Sequence, residues 1–339
     1  MSIPHTRPPV STRRRRLFTR TRVSGVIAAG LLVTTAIAAH RASADTPLVD
    51  RALSLRPGTA RIVEANLGQQ VNLSRSVAGY TMTINRVYAD ANRVVVGYTL
   101  SGPSGRHFTY GFFIDPTLTD AQGTTLAPAE NSGSAPENNA QGGYFAFDAG
   151  GATRGAGALA LHLSVPYIRA FEKLDGAEPA AVPGEAYSSN SLGRGASSSS
   201  SLTRAVTVTG PFVFDLAVPF DPSIRRAPVL EGQRFVQAQR VGGTALTLDQ
   251  VAVTPTETRL YVRGATTPQI SLRLSIDGQD YNQTMNGSWT SADGATVYGF
   301  TTPLYDKPGT WTITVTANPQ PVTGQPLAGG PWTFHVNAP

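Results

Sequence analysis

The chain has 339 residues, a formal net charge of +6 and no cysteine. Eight arginines and no acidic residue lie in the first 44 positions, so residues 45–339 carry a net charge of −2 once those arginines are set aside. The basic character therefore belongs to the leader and gives no support to nucleic-acid binding by the folded part, so no nucleic-acid partner is expected, while the absence of cysteine excludes a disulfide-held scaffold.

Residues 1–44 read as a basic leader. After Arg22 comes an uncharged run from Val23 to Ala39, at the lower limit for crossing a bilayer and longer than an ordinary signal-peptide core. Ala42-Ser43-Ala44 supplies the small-x-small pattern of signal peptidase, with Ala42 and Ala44 as the site residues and cleavage after Ala44 as the expectation. The alternative is a retained single span, in which case the membrane itself is a partner. Basic residues before an apolar run send the downstream chain outward, so residues 45–339 are expected to be extracytoplasmic, either secreted or anchored to the cell membrane. Arg14-Arg15-Arg16-Leu17-Phe18 also fits a twin-arginine export pattern, although an arginine run explains itself as an orientation signal.

Residues 45–66 form a lead-in with helical spacing at Leu48, Val49, Ala52, Leu53 and Leu55, a break at Pro57-Gly58 and a second short helical stretch from Thr59 to Leu67. Neither stretch is long enough to persist without packing on something else. From Val71 the apolar period changes to two: Met82 and Ile84, then Val94, Val96, Tyr98 and Leu100, with the turn-forming Asp90-Ala91-Asn92-Arg93 between them. Phe112–Ile114, Tyr144–Phe147 and Leu159 to Val165 supply further strands, and Phe212, Phe214, Leu216 and Val218 close the first domain, 67–221. Its segment 175–204, rich in Ser, Pro and Gly, offers little to bury and is expected to be a disordered loop. Residues 222–228, bracketed by Pro222 and Pro228, read as a stiff linker. The second domain, 229–339, alternates at Leu246 and Leu248, Leu260 and Val262, Leu272 to Ile276, Trp311 to Val315 and Trp332 to Val336.

The two domains repeat one another. Gly79 to Val87 returns as Gly243 to Val251, an offset of 164, and Gly210-Pro211-Phe212-Val213-Phe214 returns as Gly330-Pro331-Trp332-Thr333-Phe334, an offset of 120. The difference between the offsets places an insertion inside domain one, where the serine-rich segment lies. The predicted fold class is all-β, with two tandem immunoglobulin-like β-sandwich domains after the signal or anchor segment.

Residues 67–102, with Leu67-Gly68-Gln69-Gln70-Val71, Val87-Tyr88-Ala89-Asp90, Arg93-Val94-Val95-Val96 and Ser101-Gly102-Pro103, resemble the domain of unknown function DUF4179. Gly243, Val251, the run Thr254 to Leu260 and the closing Gly330-Pro331-Trp332 resemble the immunoglobulin-like module that often follows it. The resemblance implies a bacterial protein of the cell envelope held outside a single membrane span. Such proteins often carry a zinc-binding anti-sigma segment in front, and here the first 22 residues depart from that pattern, with His5 and no cysteine.

Enzymatic motifs are missing: there is no G-x-S-x-G, no Walker-type loop and no H-E-x-x-H. His162 and His335 fall on the polar face of their strands, and three scattered histidines, with His107, make a poor zinc site. Asp277-Gly278 and Asp293-Gly294 read as hairpin turns in preference to calcium loops. Asp115, Asp120 and Glu130, or Asp148 and Glu172, are the carboxylates a glycosidase reading would need. Trp311 and Trp332 are assigned to the core. Trp289, flanked by turn residues, with Tyr281, Tyr298 and Tyr305 near it in sequence, forms the candidate ligand-binding surface for a sugar or a protein. The expected function is a non-catalytic interaction or sensory module of the cell envelope with no cofactor and no metal, whose partner is an envelope protein or glycan. A carbohydrate- or cell-wall-binding module using the domain-two aromatics is the alternative, and an envelope polysaccharide hydrolase comes third.

Overall fold

In the computed structural model, the described residues are 46–134, 136–137, 139–150, 157–174, 185–188, 202–223, 225–227, 237–241, 244–264, 270–276, 279–281, 285–291, 294–302, 304–307, 309–317 and 331–338. The leader, its apolar run and the cleavage motif at Ala42 and Ala44 lie outside them. Residues from Ala42 to Pro339 group as one compact unit.

The lead-in makes two short helices, α1 (Thr46–Leu53) and α2 (Pro57–Glu64). Pro57 suits the opening of α2 because a first-turn amide has no helical partner to lose. Thr59 donates its hydroxyl to the Leu53 carbonyl at 2.5 Å, tying the two helices together.

Strands β1 (Gln69–Val77), β2 (Tyr80–Ala89), β3 (Arg93–Ser101), β4 (Phe108–Ile114), β5 (Thr117–Asp120), β6 (Thr125–Leu126), β7 (Pro128–Gly133), β8 (Ala140–Asp148), β9 (Ala158–Leu174), β10 (Glu185–Ser188) and β11 (Leu202–Pro219) come next along the chain. They form two antiparallel sheets, ordered β1-β2-β3-β8-β7 and β10-β11-β9-β5-β6, with β4 beside β9. Met82, Ile84, Val87, Val96 and Phe145 of the first sheet meet Leu118, Leu163, Ile168, Val208 and Phe214 of the second in one buried core. Apart from β1, β4 and β10, the strands fall into the two groups A-B-E-D and G-F-C-C′, the immunoglobulin topology.

The second domain contains β12 (Arg225–Ala227), β13 (Gln237–Val241), β14 (Thr244–Val253), β15 (Thr258–Arg263), β16 (Ile270–Ile276), β17 (Gln279–Asp280), β18 (Met285–Thr290), β19 (Thr296–Phe300), β20 (Gly309–Ala317) and β21 (Trp332–Ala338). Its sheets run β14-β15-β19-β18, with β12 and β13 on β14, and β17-β16-β20-β21. The same A-B-E-D and G-F-C-C′ groups appear strand for strand. Leu248, Leu260 and Phe300 from one sheet pack on Leu274, Trp311, Ile313 and Phe334 from the other, so Trp311 and Trp332 are core residues.

The duplication extends to irregularities. The β2–β3 register slips between Ile84 and Arg86, and the β14–β15 register slips between Leu248 and Gln250, at the same offset of 164. The residue skipped at each bulge is bridged to the neighbouring strand at equivalent positions, Thr99 donating to Asn85 at 2.8 Å and Arg263 to Asp249 at 3.0 Å. Bulges redirect side chains and are features a fold keeps.

Two boundaries differ from the sequence expectation. Glu185–Ser188, inside the segment expected to be disordered, pair with Val208 to Ala205 of β11, and β11 itself begins at Leu202. The outer edge of a long strand leaves backbone groups unpaired, and β10 satisfies them despite having little to bury. Arg225–Ala227, inside the expected linker, pair with Val253 to Val251 of β14 for the same reason. The remainder of the serine-rich segment lies outside the described residues.

Sheet β1-β2-β3-β8-β7 is buried on both faces at its centre, because α1 and α2 cover its outer side. Val49, Ala52, Leu53 and Ile62 pack on Tyr88, Val95, Tyr144 and Ala146. A Cβ at Gly142 would sit 2.0 Å from the Leu48 carbonyl oxygen, and one at Gly97 would sit 2.8 Å from Val49 Cγ2. The strand glycines thus make the bed on which α1 lies.

Candidate functional site

A cluster of buried charged and polar side chains lies where the β2–β3 turn of domain one meets the β14–β15 turn of domain two. The first is closed by Asp90 N donating to Arg93 O at 2.9 Å, with Asp90 Oδ1 accepting the amides of Asn92 and Arg93 at 2.8 and 2.9 Å. The second is closed by Thr254 N donating to Glu257 O at 2.9 Å, with Thr254 Oγ1 accepting the Glu257 amide at 3.2 Å. A short side-chain acceptor at the first turn position is what both sequences supply, and Pro255 presets the next φ.

These equivalent turns dock on each other. Thr256 donates to Asp90 Oδ2 at 2.6 Å, and Asn92 Nδ2 reaches Thr254 Oγ1 at 3.4 Å and Glu257 O at 3.3 Å. Asn92 and Thr256 are repeat equivalents, as are Asp90 and Thr254, so the contacts are reciprocal in the way a two-fold interface is. Asp90, Thr254 and Thr256 are fully buried.

Two arginines brace the joint. Arg259 donates from Nε to Glu257 at 2.6 Å, from Nη1 to Asp148 at 2.9 Å and from Nη2 to the Asn92 carbonyl at 2.6 Å. Its guanidinium lies 4.8 Å from the centre of the Trp289 ring. Arg93, wholly buried, donates to Glu130 at 2.9 Å, and Glu130 also accepts the Tyr144 hydroxyl at 2.6 Å. Burial alone would favour the neutral form of both arginines. The charge of Glu257, with Glu130 beside Arg93 and Asp148 beside Arg259, outweighs it and raises both pKa values. Helix α2 seals the edge: a Cβ at Gly58 would fall 2.1 Å from the Thr256 carbonyl oxygen and 2.6 Å from that of Thr301, and Arg61 pairs with Asp306.

Chemically, this arrangement fixes register. A buried ion pair gains little over an apolar substitute, whereas removing one partner costs about 3–5 kcal/mol, so the joint penalises any other domain pairing more than it stabilises this one. The carboxylates of the glycosidase reading are all placed. Glu130 and Asp148 are held by Arg93 and Arg259, Glu172 by Arg204 and Arg106, and Asp120 accepts the amides of its own turn. Asp115 stands exposed. His162 and His335 are exposed, as expected, with His162 beside Asp215. Among the described residues no group of three metal-ligating side chains occurs.

The candidate ligand surface is not where sequence adjacency puts it. Tyr281 and Tyr298 are buried at 6% and 5% exposure in the core of domain two, and Tyr305 packs half-buried against the same core. Trp289 lies within β18 and not in a turn; it is half-buried over Gly299, whose added Cβ would sit 3.2 Å from the indole. Strand alternation explains the separation: Ser288 pairs with Tyr298 and Trp289 with Val297, so the indole and the tyrosine ring face opposite sides of the sheet. What joins Trp289 to anything functional is Arg259. The joint residues themselves escape a reading by motif, since each is an ordinary turn residue. The signal that could have found them is the offset of 164 carried through Asp90–Arg93 and Thr254–Glu257.

The profile of the family described as Domain of unknown function (DUF4179) matches residues 13–102, which include α1, α2 and β1 to β3. Among curated proteins none matches. Among solved structures, the chain is similar to the conserved domain protein from Bacillus anthracis at 14% identity and a TM-score of 0.49, over 74% of this chain and 77% of that one. It is similar to titin domains I67–I69 at 8% identity and a TM-score of 0.15, over 78% and 98%. Among the described residues no helix is long and apolar enough to cross a membrane.

Proposed function

We infer that this chain is an exported, non-catalytic module of the cell envelope, either secreted or held by its leader, whose two sandwiches act on their partner as one rigid body. The observation that carries this reading is the reciprocal docking of the two turns, with Arg259 spanning from Glu257 to Asp148 and the Asn92 carbonyl. Glu130, Asp148, Glu172 and Glu257, the buried or half-buried carboxylates nearest to a glycosidase pair, are each taken up in an ion pair with an arginine, which supports the non-catalytic reading. Binding by a preordered body wastes little free energy on ordering, which is what a module that senses or adheres at the envelope requires.

Fractionation of cells expressing the full chain tests the proposal. Recovery outside the cytoplasm is expected, with Asp45 as the first residue if the leader is cut and Met1 in the membrane fraction if it is kept. Recovery in the cytosol overturns export, and release of reducing ends from cell-wall polysaccharide by the purified chain overturns the non-catalytic assignment.

A further inference from the structure

The outer face of sheet β10-β11-β9-β5-β6 carries an arrangement that neither the core nor the joint uses. Along β9, Tyr167, Arg169 and Phe171 alternate outward between Ile168 and Ala170, which enter the core. Arg169 is exposed, and Tyr167 and Phe171 are half-buried on either side of it. Across on β11, Thr209 stands opposite Tyr167 and Thr207 opposite Arg169. Tyr167, Arg169 and Phe171, with Ile114 and the exposed Asp115, line an open depression of about 310 Å³. Among the described residues Arg169 has no ion pair, and Asp115 has none either.

We propose that this face of β9 binds a linear glycan carrying carboxylate groups. Four residues of strand separate Tyr167 from Phe171 by about 13 Å, room for a short stretch of linked pyranose rings. Each ring has an apolar face for an aromatic side chain and hydroxyls for Asp115, Thr207 and Thr209. Arg169, midway, presents a planar fork that fits a carboxylate with two parallel hydrogen bonds. The chemistry disfavours other occupants. A stable protein interface buries about 800 Å² on each partner, far more than five residues supply, while the volume lies at the small end of ligand cavities. A nucleic acid needs several cations along its phosphates, and the lining of this depression supplies one, Arg169. This site is separate from the rigid-body reading, and either can fail without the other.

The test is calorimetric titration of the full chain with a hyaluronan tetrasaccharide, which has alternating carboxylates, and with chitotetraose as the neutral comparator. Binding of hyaluronan tetrasaccharide is expected, weakened about tenfold or more by Arg169→Gln and about fivefold by Tyr167→Ala or by Phe171→Ala. Chitotetraose is expected to bind at least about fivefold more weakly. Unchanged far-UV circular dichroism and an unchanged melting midpoint establish that the variants remain folded, and Tyr167→Phe is expected to keep affinity where Tyr167→Ala loses it. The proposal is overturned by no heat from either oligosaccharide at millimolar concentration. Equal affinity for both, or undiminished binding by Arg169→Gln, overturns it too. Binding abolished by Trp289→Ala but not by Tyr167→Ala would move the glycan to domain two and refute this site.

Discussion

Replacing Arg259 by methionine keeps most of the side-chain volume and removes the charge that spans the joint. Glu257, 1% exposed, then loses its 2.6 Å partner and Asp148 loses its 2.9 Å partner. An uncompensated buried charge costs about 3–5 kcal/mol, and the lost stacking on Trp289 adds about 0.5–2 kcal/mol. Arg93, whose charge Glu257 also feels, returns part of this, so the net expectation is a loss of about 3 kcal/mol. The compensating change is Glu257→Gln, which leaves no orphaned charge at that end, so the double variant should lose about 2 kcal/mol less than the sum of the two single losses. Urea unfolding of the full chain followed by tryptophan fluorescence reads the effect in domain two, because Trp289, Trp311 and Trp332 all lie there. A single-variant loss under about 1 kcal/mol would refute the claim that Arg259 holds the joint, and strict additivity of the pair would refute its coupling to Glu257.

Other outcomes are equally specific. Burial raises the pKa of Tyr88, Tyr98 and Tyr144. A raised folded value means stability is fully present below the unfolded pKa near 10 and is lost as pH rises above it, by about 1.4 kcal/mol per pH unit for each tyrosine. Alkaline denaturation between roughly pH 10 and 12 should therefore flatten in Tyr98→Phe; an unchanged slope would contradict it. Gly142→Ala forces a methyl into the Leu48 carbonyl and should cost about 1–3 kcal/mol; hydrogen exchange in residues 46–64 should rise at least as much as in the sheet beneath, and protection retained there would show that α1 does not rest on that glycine. Ile313→Ala empties part of the domain-two core and should cost about 2–5 kcal/mol, measured by thermal melting, whereas Trp289→Ala should leave that core intact and weaken the joint.

Strand identity was readable because each domain hides one face of each strand, and residues such as Met82, Ile84, Leu246 and Leu248 keep the period of two. The repeat was readable for the same reason, since equivalent strands meet equivalent cores. Polar spacing carries no comparable signal. Nothing in Asp90, Asn92, Thr254 or Thr256 distinguishes a turn facing water from one facing another turn, and the difference lies in a partner more than 160 residues away. The tyrosines failed differently. Tyr298 is near Trp289 in sequence, but it lies on the paired strand one position out of register, so the two rings face opposite sides of the sheet, and clustering along the chain is no guide to clustering in space. Residues 185–188 and 225–227 became strands because a neighbouring edge needed partners, a demand that composition does not record.

The seat of α1 is built from β3 and β8, and α2 touches Thr256 and Thr301 of the second sandwich. The ribosome delivers residues 46–64 before it delivers any of these, so the first part of the folded unit to be made waits on later segments to find its place. A nascent chain halted before residue 140 should expose this amino-terminal clip to protease, and one extended past residue 301 should shield it. Closure of the clip thus couples the start of the folded unit to segments made much later.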